Sequence, residues 1–231
     1  MTGPASEIAT ALAEVRARIK RSAEACGRDP ASVKLIAVSK TKTAEAVRAA
    51  YAAGQRAFGE NYAQELEAKA RALADLPDVE WHFIGHLQTN KAKVVARVAH
   101  VVQTVDSEVL ARELGKRVAS AGRAALPVLI EVNAGGEPQK HGAAASEIAE
   151  VMRSVAEQPS LALRGLMTMP PADDPLAAKR AFETLASLRS LHGGPSALHE
   201  LSMGMSGDLE IAVAAGATMV RVGTAIFGVH G

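Results

Sequence analysis

Lys40 ends the apolar run IAVSK, a placement that brings a primary amine to the wall of a buried cavity. Desolvation there disfavours the ammonium form, and a neutral amine can attack an aldehyde. The other reading is a lysine whose stem lies along apolar surface while its charge stays in water. Lys42 carries the same group two residues on, in the loop, and ranks second. Anion chemistry gathers near the other end of the chain. SMGMSGD (202–208) sets glycines and serines directly before a helix, which aims free backbone N–H groups and the positive helix end at an anion such as phosphate. RVGTAIFG (221–228) adds a second small turn, in which Gly223 and Thr224 offer N–H and hydroxyl donors. Either segment alone could equally be a turn or a cap. Arg221 sits inside the apolar run TMVRVG and needs an acceptor: a carboxylate such as Glu200 or Asp208, or the ring nitrogen of a ligand, to which it would donate a proton without losing it. HFIGHLQTNK (82–91) is dense in polar side chains, with His82, His86, Gln88, Asn90 and Lys91. Its two histidines straddle a strand end and the segment holds no carboxylate, so no metal site is expected there. GENYAQE (59–65) offers Asn61 and Tyr62, as ligand contacts or as a helix cap and a packed ring.

Short strands alternating with helices position all of these residues. Ile8, Leu12, Val15 and Ile19 mark one face of a leading helix that Ser6 could cap. Then come KLIAVSK (34–40) and a helix from about Ala44 to Ala53, RAFGEN and a helix from Tyr62, EWHFIG and a helix from Asn90, and HVVQTV and a helix opened by Asp106 and Ser107. PVLIEVN precedes a helix from Ser146 to Glu157, LALRGLMTM one from Pro175 to Leu191, and HELSMG one from Asp208 to Ala214, before the last run, TMVRVG. That makes eight candidate strands. Such alternation implies parallel pairing, because each helix returns the chain to the same edge. An α/β fold follows, either a (β/α)₈ barrel or a doubly wound open sheet. Lys40, Asn61, His86, Asp106, Asn133, Ser202 and Arg221 all fall where candidate strands end. In barrels ligands bind at that rim, with phosphate commonly at the loops after the last two strands, so the TIM-type barrel is preferred.

Composition narrows the class of ligand. Across 231 residues, 26 Lys and Arg stand against 25 Asp and Glu, which leaves no field of one sign for nucleic acid or an anionic membrane. The length suits one domain spanning the whole chain. Cys26 is the only cysteine, so no disulfide framework is expected, and a reducing cytoplasm fits best. No apolar stretch approaches the ~18 residues of a spanning helix, and the first residues lack the pattern of an export signal. With few aromatics and no evident apolar stripe to pair, a monomer is expected.

Six ordered segments, AVSKTK, FGENYAQE, HFIGHLQTNK, GLMTMPP, LSMGMSGDLE and RVGTAIFG, together resemble the pyridoxal phosphate homeostasis protein (YggS/PROSC) family. The match runs from about Val33 to Gly228. The resemblance implies a pyridoxal 5′-phosphate (PLP) binding barrel similar to the N-terminal domain of alanine racemase, with a Schiff base on Lys40. It places Arg221 at the pyridine nitrogen, Ser206, Gly223, Thr224 and the backbone around Met205 at the phosphate, and Asn61 in the pocket wall. The sequence departs from the family pattern at Ala134, Gly135 and Thr43, none of them an expected cofactor contact; the loop from Ala134 to Gly142 could affect what approaches the mouth. The function implied is holding PLP and delivering it to apo-enzymes by transimination, without catalysis of its own. The alternative is a PLP-dependent racemase. Alanine racemases draw an opposing tyrosine base from a second, β-rich domain, whereas here the tyrosines are Tyr51 and Tyr62, and only a few residues follow the last strand.

Overall fold

A computed structural model describes residues 3–136, 141–171 and 174–228. Eight parallel strands close into a barrel in sequence order. They are β1 (Lys34–Val38), β2 (Ala57–Glu60), β3 (Glu80–Phe83), β4 (Val101–Val105), β5 (Leu126–Glu131), β6 (Leu161–Met167), β7 (Glu200–Ser202) and β8 (Met219–Val222). Every candidate strand is present, and all but β4 stop one or more residues short of the run read from sequence. The final polar residues leave the ladder and form the mouth, so the hydrophobic runs overstate the strands at their C-terminal ends. The helices are α1 (Pro4–Ala25), α2 (Ala44–Ala52), α3 (Ala63–Ala72), α4 (Ala92–Val98), α5 (Glu108–Ser120), α6 (Ile148–Ala156), α7 (Pro175–Leu191), α8 (Gly194–Ala197), α9 (Leu209–Ala214) and α10 (Thr224–Phe227).

The expectation that Ser6 caps the leading helix is corrected. α1 begins at Pro4, whose fixed φ suits the first helical position, and Gly3 is the cap residue. Ser6 is already one turn in, its N–H donating to the Gly3 carbonyl at 2.8 Å. The purpose of α1 is visible in what it covers. The helix that follows β8 has four residues, too few to shield the seam where β8 meets β1. α1 packs instead across α2, α9 and α10, burying Leu12, Val15, Ile19 and Ala23. Arg28 ties its far end down by donating to the carbonyls of Val213 and Ala217, each at 2.8 Å.

Inside the barrel two apolar groups are packed, Ile36 with Ala57 and Met219, and Val101 with Leu129 and Met167. Gly59 makes room for the first: a β-carbon there would lie 2.8 Å from Ile84 Cδ1 and 3.1 Å from Ile36 Cγ2. A line of buried polar side chains runs beside them. Arg221 Nη1 donates to Ser202 Oγ at 2.6 Å, and Ser202 Oγ donates to Gln103 Oε1 at 2.6 Å. Gln103 Nε2 reaches His82 Nδ1 at 2.8 Å, and His82 Nε2 lies 3.0 Å from Glu80 Oε1. Ser202 is on β7 and Gln103 on β4, strands that are not neighbours, so this bond crosses the barrel. Burial pushes the His82 imidazole below its usual range. As the neutral ring it accepts at Nδ1 and donates from Nε2, and every bond in the line then points the same way, a polarity under which neighbouring bonds reinforce one another. The His82 hydrogen bond, assisted by Lys34, holds the Glu80 carboxyl at about 2, so the line ends on a carboxylate.

Candidate functional site at the barrel mouth

Lys40 lies two residues beyond β1, half-buried in a turn rather than walled in by the strand. The turn has a strained residue, Thr41, at φ 62°, a conformation that costs a non-glycine residue energy and persists when the surroundings impose it. A buried charge network does so. Lys69 on α3 donates to the Ser39 carbonyl at 2.6 Å, to Glu60 Oε1 at 2.8 Å and to Glu65 Oε2 at 2.9 Å. Ser39 Oγ donates to Glu60 Oε1 at 2.6 Å, and the Thr41 N–H donates to Glu65 Oε2 at 2.7 Å. Burial pushes the Glu60 carboxyl up, against the pull of Lys69 and Ser39, while Lys69 and the Thr41 N–H leave Glu65 lower than usual. None of this was read from sequence. The signal was there: Leu66, Lys69 and Leu73 share the apolar spacing of α3, and a lysine on that stripe demands partners.

Asn61 follows β2 and is half-buried, with its Oδ1 shielded from solvent and without a hydrogen-bond partner. Gly85 fixes its backbone, since a β-carbon on Gly85 would lie 2.1 Å from the Asn61 carbonyl oxygen. Tyr62, the N-terminal flank of α3, is exposed.

Arg221 is buried inside β8, opposite Ile36 of β1, four residues short of Lys40 along that strand. Besides Ser202 it donates from Nη2 to the Thr168 carbonyl at 2.8 Å. Neither carboxylate suggested from sequence pairs with it directly. Glu200 instead accepts from Thr218 Oγ1, and Asp208 acts on Arg221 only through its charge. Burial lowers the guanidinium to about 10, with Glu131 and Asp208 opposing, so it is cationic at neutral pH. Glu131, the last residue of β5, was not singled out from sequence. It is buried with Oε2 unpartnered, and burial, with the nearby Asp106 charge, raises it to about 7.

The two glycine segments stand beside Arg221. Gly204 has φ +96° and a β-carbon on it would meet Ala212 Cβ at 2.4 Å, so that only glycine lets the turn before α9 close. The Arg221 N–H donates to the Gly204 carbonyl at 2.9 Å. The Met205 N–H, expected as a free donor, is taken by Asp208 Oδ1 at 2.5 Å. α9 is a single short helix of six residues, so any anion here would depend on local N–H groups more than on a helix dipole. Ser206 is half-buried, and its carbonyl accepts from Arg18, which also pairs with Glu210 at 2.8 Å. Gly223 flanks α10 and Thr224 opens it, exposed at the rim.

Of the other rim residues, His82 belongs to the interior line, while His86, Gln88 and Asn90 are exposed. Asn133 is half-buried, and residues 137–140 of the loop after it lie outside the described residues.

Comparison with known proteins agrees with this architecture. The alanine racemase N-terminal domain model matches residues 11–231. The pyridoxal phosphate homeostasis protein of Pseudomonas aeruginosa is 48% identical over 225 residues, covering 96% of each chain. The chain belongs to this family. A solved member, PipY of Synechococcus elongatus with PLP bound, is 38% identical, with a TM-score of 0.80 over 96% of this chain and 100% of that one. Alanine racemase from Corynebacterium glutamicum, at 20% identity, shares the fold, with a TM-score of 0.67 over 98% of this chain and 62% of its own.

Proposed function

We propose that this chain binds PLP at the mouth of its barrel, bonded through Lys40, and that it serves intracellular PLP homeostasis by holding the cofactor and delivering it to apo-enzymes. The observation that carries this is the convergence of Lys40, Asn61, Arg221 and Gly223 at the C-terminal ends of β1, β2 and β8, adjacent strands of a family named for this cofactor. The residues fit the group. Asn61 presents a buried oxygen that lacks a partner, and Gly204 and Gly223, which pack closely on Ala212 and Val38, shape the two turns beside which a phosphate would rest. PLP supplies an aldehyde that a primary amine holds reversibly, and a second amine can then carry it away.

Each residue has a part in that reading. Lys40 supplies the amine. Arg221, cationic and with two of its five N–H donors committed to Ser202 and Thr168, retains donors for the pyridine nitrogen. Ser206, Gly223, Thr224 and the backbone near Met205 bind the phosphate, the Met205 N–H requiring Asp208 to release it first. Asn61 lines the wall. The racemase alternative lacks a placed second base. Tyr51 bonds Asp78 and lies under Arg56, residues that precede β3 and β2 and so mark the opposite end of the barrel. Tyr62 reaches the rim but is 54% exposed. Among the described residues no helix is long and apolar enough to cross a membrane; a cytoplasmic monomer completes the proposal.

The test is the visible absorption of tag-free protein mixed with PLP, for wild type and Lys40→Ala, followed by borohydride and peptide mass mapping. Wild type should gain a cofactor band that reduction fixes on Lys40, and Lys40→Ala should not. A label on Lys42 or Lys91, or an unchanged band in the variant, would refute the assignment.

A further inference from the structure

Three loops at the mouth bring together side chains that play no part in the reading above. His86 leaves the end of β3, Asp106 follows β4 directly, and His141 lies in the β5–α6 connection. His141 is anchored by the backbone beside it: Ala143 bridges to Val132, its N–H donating to the Glu131 carbonyl at 2.8 Å and its own carbonyl accepting from Asn133 at 3.0 Å. His86 Nδ1 is 3.6 Å from Asp106 Oδ2. The two imidazoles stack with centroids 3.7 Å apart and planes 11° from parallel. One donor atom from each of the three residues lies within 4.8 Å of the other two. They open onto a cleft of about 710 Å³ that Gln88, Asn90 and Ser107 also line.

We propose that His86, Asp106 and His141 form a binding site for a borderline divalent transition metal of the zinc, cobalt or nickel class. Two imidazoles and one carboxylate are the donor set such ions prefer, whereas magnesium and calcium select oxygen ligands. Three protein donors leave the fourth position of a tetrahedral ion open to the cleft. At bond lengths near 2.0–2.1 Å tetrahedral donors stand ~3.3 Å apart, so donors now up to 4.8 Å apart must close by up to ~1.5 Å. The lone pair of an imidazole lies in its ring plane, and parallel rings cannot share one ion. Binding therefore turns one ring about its Cβ–Cγ bond and breaks the stack. Both histidines are exposed, so that rotation meets little resistance. HFIGHLQTNK itself lacks a carboxylate, and the fold supplies Asp106 and the second imidazole from separate loops. A bound cation would also offset the Asp106 charge that acts on Glu131, linking the site to the barrel interior.

This site stands independently of the cofactor proposal, and its test does too. Cobalt(II) is titrated into tag-free, chelator-treated protein, with and without PLP, and followed by visible absorption and calorimetry. One equivalent should bind, with the intense bands of a low-coordinate cobalt centre, and zinc should displace it. His86→Ala and His141→Ala should each weaken binding by more than the ~10–100-fold that loss of even an outer-shell partner costs, with unchanged thermal unfolding. His199→Ala, an exposed histidine elsewhere, should leave binding as in wild type. Absence of cobalt and zinc binding in the wild type, or binding that survives either of the first two variants, overturns the site.

Discussion

Replacing Glu131 by Gln should stabilise the PLP-free protein at neutral and alkaline pH and leave it unchanged below about pH 4.5. The folded chain raises this carboxyl from its ordinary 4.5 to about 7, because ionising it strands a charge in a buried site with one oxygen unpartnered. A raised carboxyl binds its proton more tightly in the folded state than in the unfolded one. Its contribution to stability is therefore fully present below about pH 4.5 and is lost as pH rises through about 7. At ~1.36 kcal/mol per unit, the full loss is about 3 kcal/mol. Glutamine keeps the shape and cannot ionise, so the variant escapes the loss. The assay is urea unfolding of both proteins across the acidic to alkaline range without PLP, since a bound ligand would add its own stabilisation. The unfolding midpoints should coincide below about pH 4.5, diverge in favour of the variant between there and about pH 7, and stay apart by a constant amount above that, with equal slopes. A difference that stays constant with pH, or a variant less stable at alkaline pH, would refute the account. The second result would mean that the Glu131 charge is needed by Arg221 more than it is penalised by burial.

Two further outcomes follow from the buried polar groups. Lys69→Met should strand Glu60 and cost ~3–5 kcal/mol, the range for removing one partner of a buried pair; the same variant should weaken PLP binding, because Lys69 pins the Ser39 carbonyl beside Lys40, and chemical unfolding with a PLP titration reads both. Ser202→Ala breaks the interior line at its crossing point and leaves Arg221 Nη1 and Gln103 Oε1 without that partner, which should cost ~1–3 kcal/mol in chemical unfolding, whereas a thermally neutral variant would mean that water or another side chain takes over.

The sequence by itself determined the alternation of parallel strands and helices, and favoured a barrel over an open sheet. Apolar runs of strand length, separated by helices of about three turns, leave parallel pairing as the consistent solution, and the polar residues closing each run mark the mouth. Motif order determined the family, as six segments in register specify more than any one of them. What periodicity could not convey is which side chains meet across the barrel. Gln103 and Ser202 are 99 residues apart, and their bond exists only because closure brings β4 and β7 face to face. Lys69, Glu60 and Ser39 become a unit only when α3 packs on the turn after β1, and Glu131 becomes a weak acid only once folding buries it and brings the Asp106 charge near. His86, Asp106 and His141 likewise come from three loops that only the closed barrel brings together. Local pattern reports the period of an element, which depends on a residue and its near neighbours in the chain. Charge pairing, desolvation and ligand geometry depend on distances between elements, and those are set by tertiary closure.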